Sequence, residues 1–187
     1  SSAGSGEAFW AAVEACAERV QEEALEGYTP RSIANICWSL AKLRMEGGQG
    51  GRGERPVEAA LESRAASVLE LAARRASDDL RAAAHGTGVQ GGPNAWAREG
   101  LWGEWKPQEI ANLCWAVGKS ADIASHSVRG LFCAVAQAAG ISRWTGFSPQ
   151  ELANTFQALT SAGLAPPPLV RRALAKTTKH RDMFNAQ

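Results

Sequence analysis

Apolar residues recur along this chain with the three-to-four-residue beat of helices that each bury one face. Ile33, Ile36, Cys37, Leu40 and Leu43 share one such face, and Arg31, Asn35, Trp38 and Lys42 fall on the other side. The same beat aligns Phe9, Val13, Cys16, Val20 and Ala24 over residues 7–25, and Leu61, Ala65, Val68 and Ala72 after Pro56. Residues 124–139 and 167–179 add two more segments. The helix opened by Pro56 either runs on to Ala84 or breaks near Ser77-Asp78-Asp79. These segments predict an all-α chain of seven or so helices.

Three of the helices open on variants of one phrase. They read Tyr28-Thr-Pro-Arg-Ser-Ile-Ala-Asn-Ile-Cys-Trp38, Trp105-Lys-Pro-Gln-Glu-Ile-Ala-Asn-Leu-Cys-Trp115 and Phe147-Ser-Pro-Gln-Glu-Leu-Ala-Asn-Thr-Phe-Gln157. Pro30, Pro107 and Pro149 suit the first helical position, where the missing N–H has no intrahelical partner. Thr29 and Ser148 are good N-caps, and Ser148 with Glu151 forms a capping box. Lys106 is a poor cap, although Glu109 still favours that N-terminus. The aromatics Tyr28, Trp105 and Phe147 face Ile33, Ile110 and Leu152 as a hydrophobic staple that fixes the entry angle of each helix. Leu25, Trp102 and Trp144 stand at matching distances upstream.

Self-similarity at a spacing of tens of residues marks stacked helix pairs, none of which buries its apolar face alone. The expectation is a right-handed α-solenoid of antiparallel pairs, about three and a half repeats, in one domain spanning residues 1–187. It can be a fragment of a longer array. Pro107 to Pro149 is 42 residues, a natural helix-pair period, whereas Pro30 to Pro107 is 77. Gly-rich insertions near residues 46–55 and 86–104 account for the longer interval.

The Pro-Gln-Glu-Leu-Ala-Asn phrase followed by an apolar, Trp-containing helix resembles the octotricopeptide-type repeats of algae and protists. It is also similar to the helical repeats associated with RAP domains. The resemblance covers residues 25–187 and is strongest over 105–120 and 147–164; the 42- and 77-residue spacings depart from that family's shorter unit. It implies an RNA-binding helical array in an organelle, mitochondrion or chloroplast, acting in transcript stability, processing or translation, or as an RNA-contacting ribosomal subunit. The competing expectation is a non-catalytic scaffold or accessory subunit of a large organellar complex.

The formal net charge of +1 favours no partner, but the charge is unevenly distributed. Residues 1–28 carry six Glu against one Arg, while the segment after Pro167 holds Arg171, Arg172, Lys176, Lys179 and Arg181. No stretch approaches the roughly 18 apolar residues of a membrane span. No signal or transit peptide is read in the opening Ser-Ser-Ala-Gly-Ser-Gly. Cys16, Cys37, Cys114 and Cys133 form no CxxC pair and have no His at ligand spacing, so neither metal nor cofactor is expected. His85, His126 and His180 are isolated, and no catalytic constellation assembles by spacing. Catalysis is not expected.

The candidate RNA contacts are polar positions that recur or vary between copies: Arg31, Gln108 and Gln150, with Lys42 and Lys119 opposite Ser161, and Arg171, Arg172 and Lys176 at the basic end. Those last cations either contact phosphate or solvate a terminal face. Asn35, Asn112 and Asn154 are expected as buried amides that bond neighbouring backbone and lock the stack, with base recognition as the alternative. Trp38 and Trp115 are expected to fill gaps between helices, with base stacking as the alternative. Tyr28, Trp105 and Phe147 are structural.

Overall fold

The structure, a computed structural model, describes residues 3–47, 56–86, 102–142 and 144–164. These form six helices and no strand: α1 (Ala3–Glu22), α2 (Pro30–Gly47), α3 (Pro56–Gly86), α4 (Pro107–Ser120), α5 (His126–Ser142) and α6 (Pro149–Ser161). The expected helix over 167–179 and most of the two Gly-rich tracts lie outside the described residues.

The helices pack as two rows. The motif helices α2, α4 and α6 lie side by side in one, and α1, α3 and α5 lie side by side in the other. The rows meet where α3 touches α2 and α4, and where α5 touches α4. One apolar core runs along the seam, with Ile33, Cys37 and Leu40 from α2, Val68, Leu69 and Leu80 from α3, and Ile110, Leu113 and Val117 from α4. On α3 the buried positions include Ala65, Ala72, Ala73 and Ala76, small enough to let its neighbours approach closely. Gly118 of α4 serves the same end: a Cβ there would stand 3.1 Å from Ala158 Cβ of α6.

Each motif helix is entered through a tight turn set by glycine. Tyr28 N–H donates to Leu25 O at 3.2 Å, Trp105 N–H to Trp102 O at 3.0 Å and Phe147 N–H to Trp144 O at 3.3 Å. In the first and third turns a glycine stands third, Gly27 at φ 75° and Gly146 at φ 87°. In the second turn the glycine stands second, Gly103 at φ 59°, and the positive φ moves with it. All three turns therefore deliver their aromatic to the same place despite different sequences.

Several expectations change. α1 ends at Glu22 rather than running to residue 25, because Ala24 (φ 47°) and Leu25 (φ 63°) are left-handed ahead of Gly27. α3 does not break at Ser77-Asp78-Asp79; Asp79 is bound by Arg75 one turn earlier, so its carboxylate does not compete for helix backbone. Of the face expected for α1, only Val20 is fully buried: Cys16 and Ala24 are exposed, and Phe9 is 51% exposed.

Within the α1–α3–α5 row, Arg64 of α3 reaches Glu14 (3.4 Å) and Glu18 (3.0 Å) of α1. Arg44 of α2 bonds the Ser120 carbonyl at the end of α4 and pairs with Glu62 of α3 at 3.1 Å. That arginine occupies one of the carbonyls a helix C-terminus leaves without an intrahelical partner. At the end of α6, Leu164 N–H bonds Leu159 O and Gly163 N–H bonds Thr160 O, the Schellman pattern, with Gly163 at φ 67°.

Candidate nucleic-acid interface

At the start of each motif helix, caps and staples place the first turn. Thr29 Oγ1 accepts from Ser32 N–H at 3.2 Å, and Ser148 Oγ accepts from Glu151 N–H at 3.3 Å. Glu109 and Glu151 accept from the backbone N–H of Lys106 (2.8 Å) and Ser148 (2.6 Å). The carboxylates of α4 and α6 are thus spent on their own helix N-termini, where the macrodipole also favours them.

The staple aromatics do a second job that the sequence pattern did not reveal. Trp105 is 2% exposed, and its indole N–H donates to Asp79 Oδ2 at 3.1 Å, while Arg75 Nε holds the same carboxylate at 3.0 Å. One unit earlier, the Tyr28 hydroxyl donates to Glu23 Oε2 at 2.7 Å and Arg19 Nε holds Glu23 Oε1 at 2.9 Å. Both are an Arg and an acid four apart, one pair within α3 and the other at the end of α1, meeting the polar tip of the next aromatic. The Tyr28 bond, with Arg19 assisting, keeps the Glu23 carboxyl below its ordinary range; the same bond raises the Tyr28 hydroxyl. Phe147 has no polar tip. It is instead held among rings, with centroids 5.1 Å from Trp102 and 5.2 Å from Trp144, and Phe156 lies 5.3 Å from Trp144.

The outward face of the α2–α4–α6 row carries the recurring polar positions. Arg31, Gln108, Gln150 and Lys119 are exposed, and Lys42 is half-buried. Among the described residues, Arg31, Lys42 and Lys119 enter no ion pair. Arg171, Arg172 and Lys176 lie outside the described residues.

Two rows of the motif differ from expectation. Asn35 is exposed and Asn112 and Asn154 are half-buried, so the motif asparagines are not buried amides, and no hydrogen bond joins their side chains to a described neighbour. The reason is position: Asn35 stands at the open edge between α1 and α2, while Asn112 and Asn154, at the same place on α4 and α6, are partly covered. Trp38 is 43% exposed rather than filling an interhelical gap. It leans on half-buried Trp115 of α4, with ring centroids 6.4 Å apart and planes tilted 34°. Lys42 Nζ stands 5.5 Å from the Trp38 centroid and 5.8 Å from that of Trp115.

A second feature lies at the α1 end of the array. Phe9, Val13, Val20, Ile36, Leu40 and Leu43 line an open, almost wholly apolar groove of about 560 Å³ between α1 and α2. Ser39 is also in its wall. Its counterpart in α6 is Ala158, which packs on Gly118 of the preceding motif helix. The groove therefore stands where, further along the row, a preceding helix sits.

Burial pushes the thiols of Cys37 and Cys114 up to about 12, as expected of small core hydrophobes. Cys16 and Cys133 are free and exposed. Among the described residues no group of three His, Cys, Asp or Glu side chains is placed to hold a metal ion. No helix among them is long and apolar enough to cross a membrane. No protein-family model, curated protein or solved structure matches the chain, so the resemblance to octotricopeptide-type repeats rests on the motif and the helices it opens.

Proposed function

We propose that this chain is a non-catalytic, helical-repeat protein that binds single-stranded RNA, in organellar RNA metabolism or within an organellar ribonucleoprotein such as a ribosome. In this reading the two rows form a right-handed solenoid of antiparallel pairs, and the outward face of the motif row is the RNA surface. The observation that carries it is the composition of that face. Among the described residues Arg31, Lys42 and Lys119 enter no ion pair and share this face with exposed amides and an exposed indole, while Glu109 and Glu151 are tied up as caps. Free cations supply the salt-dependent affinity for a phosphate backbone, and amides and rings can meet unstacked bases.

Filter binding of the purified chain to pooled single-stranded RNA at low salt tests this directly. Binding that weakens several-fold in a Lys42→Ala, Lys119→Ala double variant supports the reading; absence of binding by the wild type at low salt sinks it.

The scaffold reading keeps one specific support, the α1–α2 groove, shaped to receive an apolar helix of the kind that α2 offers to α4. Val13→Glu, on the α1 wall of the groove and away from the motif row, separates the two readings. It leaves RNA binding intact and abolishes association with a helical partner.

A further inference from the structure

The Trp38–Lys42–Trp115 cluster supports a more specific assignment, which rests on the RNA-binding reading above. Trp38 stands out as a large ring 43% exposed on the face that also holds the unpaired cations. A single exposed tryptophan is unremarkable in itself. This one leans on Trp115, planes tilted 34°, and Trp115 packs onto the core, so the two indoles make a shelf that spans α2 and α4. The Lys42 ammonium stands over both rings.

The shelf's own cation decides what it can accept. With the Lys42 ammonium already 5.5 and 5.8 Å from the two centroids, the quadrupole of both rings is engaged. A second cation, whether a quaternary ammonium or a partner's arginine, meets like-charge repulsion at that point. A ligand that joins a neutral planar ring to an anion meets none: the ring stacks on Trp38, and the anion draws Lys42 outward, an ammonium that enters no ion pair among the described residues. A nucleotide within a single strand has that chemistry. Arg31, Asn35, Trp38 and Lys42 recur at i, i+4, i+7 and i+11, one stripe along α2, so the strand's path continues past the shelf onto further polar groups.

We infer that the Trp38–Trp115 shelf is a base-stacking subsite, with Trp38 as the platform, Lys42 as the phosphate contact beside it and Trp115 as a positioning residue. Gln157, at the equivalent place on α6, gives the third motif helix no platform, so the subsite belongs to the α2–α4 pair.

The test compares wild type, Trp38→Ala, Trp38→Phe and Lys42→Gln in binding fluorescein-labelled oligo(U) and an abasic strand of equal length, by anisotropy across a salt series. Circular dichroism of each variant confirms folding, which an exposed Trp38 permits. Trp38→Ala should weaken oligo(U) roughly ten-fold or more with the salt slope unchanged, and Trp38→Phe should retain most of the affinity. Lys42→Gln should make the salt slope shallower by about 0.7, one phosphate contact. The abasic strand should bind wild type and Trp38→Ala alike. Oligo(U) affinity unaltered in Trp38→Ala, while Lys119→Ala still weakens it, overturns the subsite and leaves RNA binding standing. Competition of oligo(U) by tetramethylammonium at millimolar concentration overturns it in favour of a cation cage, and no oligo(U) binding by the wild type removes both assignments.

Discussion

Individual side chains in this protein repeatedly combine packing with one polar bond, and the pairing is legible in sequence only once the geometry is known. Trp105 and Tyr28 are chosen as apolar staples, yet each also ties its polar tip to an Arg-held acid, Asp79 or Glu23. The spacing Arg75/Asp79 and Arg19/Glu23 is visible along the chain; what it serves is not, because the acceptor's partner lies 26 residues away in one case. Trp105→Phe should therefore cost about 2 kcal/mol in chemical denaturation, the value of one hydrogen bond to a charged acceptor, and Trp105→Ala about 3 kcal/mol or more. At Glu23 the sign of the pH effect follows from its depressed carboxyl. That contribution is present above the ordinary value of 4.5 and is lost as pH falls through the lower, folded-state value. Melting temperature measured on the acid side should drop less steeply in Glu23→Gln than in the wild type. The same residue scale shows where the sequence misleads: Asn35, Asn112 and Asn154 read as buried amides because a recurring polar residue among apolar ones suggests a core role. Asn35 is instead exposed beside the α1–α2 groove and Asn112 and Asn154 are half-buried, and exposure of this kind depends on where the neighbouring helix comes to rest.

At the scale of helices, starts were legible and ends were not. Pro and a staple announce α2, α4 and α6 to the residue, joined by a capping hydroxyl in α2 and α6, since all these signals act locally within one turn. The end of α1 depends on left-handed Ala24 and Leu25, residues that carry no such preference of their own and take that conformation because the turn into Tyr28 must place it on the core. The 31-residue length of α3 likewise rests on partners brought from α1 and from the Trp105 turn. Lateral spacing of the motif row hangs on Gly118, whose added Cβ would press on Ala158 at 3.1 Å. Gly118→Ala should gain helix propensity and still lose roughly 1–2 kcal/mol overall by crowding, and Ala158→Gly in the same chain should recover part of it. A calorimetric double-mutant cycle checks the coupling; additive effects would mean that α4 and α6 are not in contact there.

For the whole molecule, the all-helical class and the motif helices could be read from periodicity and the recurrent phrase, because both reflect local chemistry. The division of the surface could not. Whether a polar position faces water, a groove or a neighbour is set by how α2, α4 and α6 line up, and that arrangement puts Arg31, Gln108, Gln150, Lys42 and Lys119 on one row while leaving an apolar groove at the α1 end. In the proposed reading nucleic acid takes the motif row, and the groove is the surface suited to an apolar helix. Ultraviolet crosslinking of the protein to single-stranded RNA, followed by peptide mass spectrometry, distinguishes the surfaces directly. Crosslinked peptides from α2 and α4, centred on Trp38, Lys42 and Lys119, are the predicted result; crosslinks confined to α1, α3 and α5, or none at low salt, would contradict it.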